Sequence, residues 1–336
     1  MAKIVVYDVT VNERKAFASF EKDNQVLYIE GPLSLENIVT DADIVSVFVS
    51  SKMSAQIIGR FARLRLIAAR STGFNNIDAS TAQKKGIAIA SVPNYGEYTV
   101  TEYTFALILM INRRLRDAIN QVQIEKIDSD LIHGNDLHGK TLGVVGAGRI
   151  GRHVARVGKA FGMKVVIYDP YVNETVVEKM GCLKCSLNDL LRESDVVTLH
   201  TPLTTSNKHM IGKAQFDQMK SSAIFINTAR GELVDTMQLV KALKNGKLAG
   251  AGLDVLEDER LLDLEEEEVL ITHGRPTNIS LEHALEINIL KTMPNVVITS
   301  HNAYNTVEAI SRINDTTADN IKAFLSGKPV NIVSNG

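Results

Sequence analysis

The chain has 336 residues, 45% of them apolar and 23% charged, with a formal net charge of −2. That length is enough for two separate cores, and the near-neutral balance gives no electrostatic case for nucleic acid or an anionic membrane. No apolar run is long enough to cross a bilayer and the first residues, Met1 to Val6, lead directly into a strand pattern, so a cytoplasmic protein is expected.

In chain order, Lys3–Tyr7, Val26–Ile29, Ile44–Val49, Leu66–Ala69 and Ile87–Ala90 read as short apolar strands. Helical stretches such as Asn12–Glu21 and Ser54–Arg63 separate them. The alternation predicts a first parallel α/β unit. A long helical pattern follows, from about Tyr98 to Val122, and its face of Val100, Phe105, Ile108, Leu109 and Ile111 is too apolar for solvent. The pattern does not choose between a helix bridging domains, one packed on a second subunit, and one buried in a single core.

The stretch from Lys140 to Pro170 is the most informative. Thr141 to Val145 is strand-like, Gly146-Ala147-Gly148-Arg149-Ile150-Gly151 follows, and Val154, Val157 and Phe161 then mark one face of a helix. This is G-x-G-x-x-G between strand and helix. The first glycine permits the tight turn, the second lets a pyrophosphate approach the backbone, and the third lets helix and strand pack closely. The helix N-terminus offers free N–H groups to the diphosphate. A second strand, Lys164–Tyr168, ends in Asp169, eighteen positions after the third glycine, where a dinucleotide-binding unit places the carboxylate for the adenosine ribose. With Pro170 and no arginine beside it, Asp169 repels a 2′-phosphate, so NAD is expected rather than NADP.

Cys182 and Cys185 are the only cysteines. A zinc site needs about four ligands and no second pair follows, while a thioredoxin-like pair would open a helix after a strand. Neither fits a short segment ahead of Ser186-Leu187-Asn188-Asp189, which reads as a helix cap. No metal is expected. Further strands are predicted at Val196–Leu199, Ala223–Ile226, Gly250–Leu253 and Val296–Thr299, giving a doubly wound sheet. The acidic run Glu265–Glu268 reads as a solvated helix face. Thr306–Leu325 reads as a helix after which the chain returns to the first domain, leaving a cleft between the two.

Ligands of open parallel sheets bind beyond the carboxyl ends of the strands. Gly146, Asp169, His200, Arg230, Asp254 and His301 all follow predicted strands of the second half, and Glu259 lies just past Asp254. Nicotinamide-dependent reduction of a 2-oxo acid needs a cation for the carboxylate and carbonyl, an acid for the oxygen, and a group that tunes the acid. Arg230 suits the first task, because a guanidinium makes two parallel bonds to a carboxylate. His301 suits the second, since imidazole titrates near neutrality, and Glu259 could bond its other nitrogen and raise its pKa. Ordinary roles stay open for each: capping carbonyls, core packing, surface charge. The remaining histidines, 133, 138, 153, 209, 273 and 283, read as solvated or packed.

Six segments together resemble the D-isomer-specific 2-hydroxyacid dehydrogenase family, most nearly its lactate-acting members. They are Ser71–Asp78, Gly139–Gly151, His200–Thr204, Asn227–Asp235, Leu253–Glu259 and Ser300–Tyr304, and they span nearly the whole chain. The resemblance implies a discontinuous flavodoxin-like substrate domain, residues 1–100 with 302–336, and a Rossmann NAD-binding domain, 101–301. It implies a catalytic set of Arg230, Glu259 and His301, with the amides of Thr72 and Gly73 also holding the substrate carboxylate. Arg149 and Ile150 would meet the pyrophosphate, Asp169 the ribose, Thr201, Pro202 and Asn207 the adenosine side, and Thr228, Ala229 and Asp254 the nicotinamide end. A homodimer built on the nucleotide domains, with closure on binding, is also implied. The chain departs from the family pattern at Ser50, Tyr103, Ser300 and Asn305, and the smaller groups around the pocket point to pyruvate or a somewhat larger 2-oxo acid. The segment between Glu259 and His301 is longer than in most relatives. A second class of reading, an NAD(H)-sensing binding protein like the corepressors that share this fold, predicts little turnover, and no regulatory extension or C-terminal effector domain is expected after the last helix.

Overall fold

The computed structural model describes residues 1–125, 128, 132–257, 259 and 278–333, the side chains of 278–282 excepted. The chain forms two compact units, one of Met1–Tyr95 with Asn305–Gly336 and one of Gly96–Tyr304. The run Glu265–Glu268 and His273 lie outside the described residues.

In the first unit, β1 (Lys3–Val6), β2 (Gln25–Tyr28), β3 (Ile44–Val47), β4 (Leu66–Ala69) and β5 (Ala88–Ala90) form an all-parallel sheet in the order β2-β1-β3-β4-β5. Apolar side chains of β1, β3 and β4 point to both faces, as a sheet covered on two sides requires. The predicted helix at Asn12–Glu21 is instead two short 3-10 segments, Glu13–Ala16 and Ala18–Lys22. Phe17 and Phe20 are both buried there, and a three-residue spacing suits a 3-10 turn. Two short helices follow, α1 (Ala55–Arg60), capped by Ser54, and α2 (Ala79–Lys84), capped by Asp78. The C-terminal segment returns to this unit, where Ile332 bridges Ala90 and the Val333 amide donates to the Ile89 carbonyl at 2.8 Å.

The second unit opens with α3 (Glu97–Asn112) and α4 (Leu115–Gln123), where the sequence pattern predicts one helix. The break lies at Arg114, whose backbone is left-handed (φ 48°, ψ 41°). Arg116 redirects the chain, because its guanidinium donates to the carbonyls of Val296, Met293 and Pro294. Core burial therefore describes α3: Val100, Phe105 and Ile108 are buried and the helix packs on the sheet. On α4, by contrast, Leu115, Ile119 and Val122 are exposed, as is Ile124 just beyond it.

The sheet of this unit has seven parallel strands: β6 (Thr141–Val145), β7 (Lys164–Tyr168), β8 (Leu183–Lys184), β9 (Val196–Leu199), β10 (Ile224–Asn227), β11 (Gly250–Leu253) and β12 (Val296–Ile298). Their order is β12-β11-β10-β9-β6-β7-β8. The direction of winding reverses between β6 and β9, and the loops after those two strands frame the crevice where such folds bind ligand. Helices α5 (Arg149–Ala160), α6 (Glu174–Lys179), α7 (Leu187–Glu193), α8 (Lys213–Phe216), α9 (Thr236–Lys244) and α10 (Asn278–Thr292) belong to this unit. The last helix, α11 (Val307–Leu325), belongs to the first. Val154 faces the core as expected, whereas Phe161 ends α5 partly exposed and stacks on Phe105 at 5.2 Å.

Candidate active site

The turn after β6 has a backbone that only glycine tolerates. Gly146 is left-handed (φ 99°), and a Cβ on it would stand 2.7 Å from the carbonyl oxygen of His200, so the loops after β6 and β9 are in contact. A Cβ on Gly151 would stand 1.9 Å from the Gly146 carbonyl oxygen, which fixes the close packing of α5 on the turn. Gly148 is different: a Cβ there would meet nothing within 4 Å, and this residue begins α5 with no side-chain cap. Open space in front of an uncapped helix N-terminus fits a diphosphate.

Asp169 ends β7 with its carboxylate already oriented. Oδ2 accepts from the Ala147 amide at 2.7 Å, and Oδ1 accepts from the Tyr171 and Val172 amides at 2.8 and 3.0 Å. It thereby ties its strand end to the glycine turn. Arg149 lies near Glu97, with 3.9 Å between Nε and Oε1, and Ile150 packs on the core. In the loop after β9, the Thr201 amide nitrogen lies against the Gly146 turn. Asn207 braces that loop, its amide donating to the Pro202 carbonyl and its oxygen accepting from the Thr204 amide. His200 bonds Thr198 at 2.9 Å, and burial pushes its pKa down to about 3, so it is neutral.

Three potent groups stand beyond β10, β11 and β12. Asn227 closes the turn after β10: its oxygen accepts from the Ala229 amide and its amide donates to the Arg230 carbonyl. Thr228 meets Thr104 of α3 at 3.1 Å between hydroxyls. The Arg230 guanidinium donates to the Ala229 carbonyl at 2.5 Å, and its other N–H groups have no acceptor among the described residues. Such a fork fits a carboxylate.

Asp254 is buried and builds the turn that carries His301. Its Oδ1 accepts from the Thr299 hydroxyl at 2.6 Å and the Asn302 amide at 2.8 Å, its Oδ2 accepts from the Ala303 amide at 2.9 Å, and its carbonyl accepts from the His301 amide. That web holds His301 in a left-handed backbone (φ 49°), a conformation costing about 1–2 kcal/mol for a non-glycine residue. The ring is placed accordingly. His301 Nδ1 lies 2.8 Å from Glu259 Oε2, which leaves Nε2 as the nitrogen available to a ligand. The bond to Glu259 raises the pKa of His301; desolvation opposes the rise, the charges of Glu259 and Asp254 add to it, and the nearby Arg230 charge works against it. A carboxylate-imidazole pair beside a guanidinium can protonate an oxygen that the guanidinium polarises.

In the first unit, Thr72 and Gly73 follow β4. The Thr72 hydroxyl donates to the Val92 carbonyl and the Ser71 hydroxyl to the Gly73 carbonyl, both at 2.6 Å, while neither the Thr72 nor the Gly73 amide donates to another described residue. Beneath them lies a polar network that the sequence reading missed. Arg70, fully buried, donates to the carbonyls of Tyr7 and Asp8, and the Asp8 carboxylate accepts from Ser50, Ser51 and the Phe48 amide. The available signal was an arginine directly after an apolar strand. Cys182 and Cys185 are free, and burial raises both thiol pKa values. Among the described residues no cluster of His, Cys, Asp and Glu could hold a metal ion, and no helix is long and apolar enough to cross a membrane.

A parallel α/β unit with this turn, this acid and this uncapped helix has the features of a dinucleotide-binding domain. Residues 105–303 match the model of the D-isomer specific 2-hydroxyacid dehydrogenase NAD binding domain. The chain is 33% identical over 332 residues to a 2-hydroxyacid dehydrogenase homolog of Haemophilus influenzae, covering 97% of both chains. It is 33% identical to D-lactate dehydrogenase of Escherichia coli, covering 84% of each. Among solved structures, D-lactate dehydrogenase from Aquifex aeolicus, complexed with NAD and lactic acid, superposes with a TM-score of 0.84 at 38% identity, covering 97% of this chain and 96% of that one. The chain belongs to the D-isomer-specific 2-hydroxyacid dehydrogenase family and is an NAD-dependent oxidoreductase.

Proposed function

We propose that the protein reduces a 2-oxo acid, pyruvate or a somewhat larger analogue, to the D-2-hydroxy acid. The 2.8 Å bond between His301 and Glu259, at a strand edge it shares with Arg230, is the observation that carries this reading. Bound NADH supplies a hydride to the carbonyl carbon. Arg230 pairs with the substrate carboxylate and polarises the carbonyl, and the Thr72 and Gly73 amides also bond the carboxylate. His301 delivers the Nε2 proton to the carbonyl oxygen, and the resulting neutral imidazole keeps its Nδ1–H, which donates a hydrogen bond to the Glu259 carboxylate. The family's substrates, small 2-oxo and 2-hydroxy acids, suit this division of labour.

The glycine turn and the family resemblance support the cofactor contacts proposed next. Gly146, Gly148, Gly151, Arg149 and Ile150 receive the pyrophosphate, Asp169 the ribose hydroxyls, Thr201, Pro202 and Asn207 the adenosine side, and Thr228 and Ala229 the nicotinamide end. Asp254 acts there through the turn it builds. The unit of Gly96–Tyr304 is the cofactor domain and the other the substrate domain. The exposed apolar residues of α4 support a homodimer, and a cytoplasmic setting is consistent with the reading.

Loss of NADH absorbance across a panel of 2-oxo acids tests it. Wild type is expected to turn over, and His301→Ala to lose about 10²- to 10⁴-fold, the usual contribution of a positioned general acid. Full activity of Arg230→Ala on every acid would overturn the mechanism, and NADH binding without turnover would favour a sensing protein.

A further inference from the structure

Glu257, two residues before Glu259, has its carboxylate almost fully buried, and the side chains gathered on it come from segments that carry the site. From the loop after β9, Lys208 Nζ lies 3.0 Å from Oε1 and His209 Nε2 lies 2.9 Å from Oε2. From α10, His283 Nε2 lies 3.8 Å from Oε2, and Glu286 is buried one turn further along that helix. Burial favours protonation of Glu257, but the bonds from His209 and Lys208 outweigh it and hold the carboxyl below its usual range.

The backbone around this carboxylate has no slack. A Cβ on Gly231, the residue after Arg230, would stand 2.0 Å from the Leu256 carbonyl carbon and 2.4 Å from the Glu257 nitrogen. The His209 amide donates to the Glu232 carbonyl at 2.8 Å, and Ile211 bridges Val234. His209 itself is left-handed (φ 52°). The Glu257 carboxylate is thus met by the loop holding Thr201, Pro202 and Asn207 and by α10, while its backbone is packed against the turn of Arg230.

We propose that Glu257 is a positioning residue whose carboxylate clamps the 201–211 loop to the 254–259 stretch, setting both the seat of the cofactor and the bond between Glu259 and His301. This rests on the assignment of those groups made above. A salt-bridge cluster that only stabilises the fold would act on melting temperature alone. The clamp acts on two functional quantities as well, because small displacements of positioned groups are amplified in rate.

The test compares wild type with Glu257→Gln and His209→Gln. NADH affinity is read by fluorescence titration, the pH profile of kcat/KM by turnover of the best 2-oxo acid, and folding by circular dichroism and melting temperature. Both variants are expected to weaken NADH binding about tenfold, the scale of one lost charge-assisted hydrogen bond, and to move the alkaline limb of the profile to lower pH. A lowered melting temperature with unchanged NADH affinity and an unchanged limb overturns the clamp. Should Glu257→Gln fail to fold, His209→Gln decides, since it leaves the carboxylate and its Lys208 contact in place. If wild type turns over no 2-oxo acid, the functional assignment fails while the NADH titration still reads the clamp.

Discussion

In the proposed reaction His301 is the proton donor, and the direction of its pKa shift gives that role a definite sign. Its pKa is raised chiefly by the hydrogen bond to Glu259, so the imidazolium persists above the ordinary pKa of 6.5 and is lost only as pH rises through the higher folded value. The proposed reduction is therefore expected to fall as pH rises, at a higher pH than an unperturbed imidazole would set. In Glu259→Gln the limb is expected to move to lower pH, because an amide cannot supply the attraction of a carboxylate; a profile of kcat/KM against pH checks this. Asp169 makes a second residue-scale prediction. Its carboxylate holds three amides and is assigned to the ribose, so Asp169→Asn should raise the KM for NADH by about ten- to a hundredfold, the scale of lost bonds to a charged group. Parallel titrations with NADH and NADPH should show the preference narrowing. Asp169 and His301 could be picked out in the sequence because each comes within a few residues of the end of an apolar strand, and Glu259 because it lies just past Asp254. Glu257 was not, since an acid between Leu256 and Asp258 looks like any surface charge until Lys208 and His209 are folded onto it.

At the scale of elements, regular periodicity carried the strands and the glycine turn but not the point where α3 gives way to α4. The apolar spacing runs on past Arg113, and what stops the helix is the hold of Arg116 on carbonyls nearly 180 residues away, a contact no local pattern contains. The two 3-10 segments before β2 escaped for a related reason: Phe17 and Phe20 satisfy helical and 3-10 spacing alike. Close approach at Gly231 gives an element-scale prediction. Gly231→Ala forces a methyl into the backbone of Leu256, so it should destabilise the protein by about 1–3 kcal/mol or more through overpacking and displace Arg230 and Glu257 together. Chemical denaturation and kcat/KM measured on the same variant check both effects. For α4, Ile119→Asp should leave folding intact and shift sedimentation from dimer to monomer, because a charge replaces an exposed apolar side chain on the face assigned to the partner subunit.

For the whole molecule, the succession of strands along the chain was the most legible property, since β6, β7 and β9 to β12 were each marked by an apolar run and followed within a few residues by a residue of chemical interest; their spatial order in the sheet was not. The family adds that such a chain is an NAD-dependent oxidoreductase. Its own residues fit that class: an open, uncapped helix start at Gly148, the amide-bonded carboxylate of Asp169, and the His301–Glu259 bond with the Arg230 charge nearby. The most direct measurement is the product itself. Pyruvate and NADH are incubated with wild type and with His301→Gln, NADH consumption is followed, and the hydroxy acid is resolved by chiral chromatography. The D-isomer is expected in one-to-one ratio with NADH consumed by wild type, with the rate in His301→Gln lower by about a hundredfold or more. L-lactate from wild type, or an undiminished rate in the variant, would contradict the account.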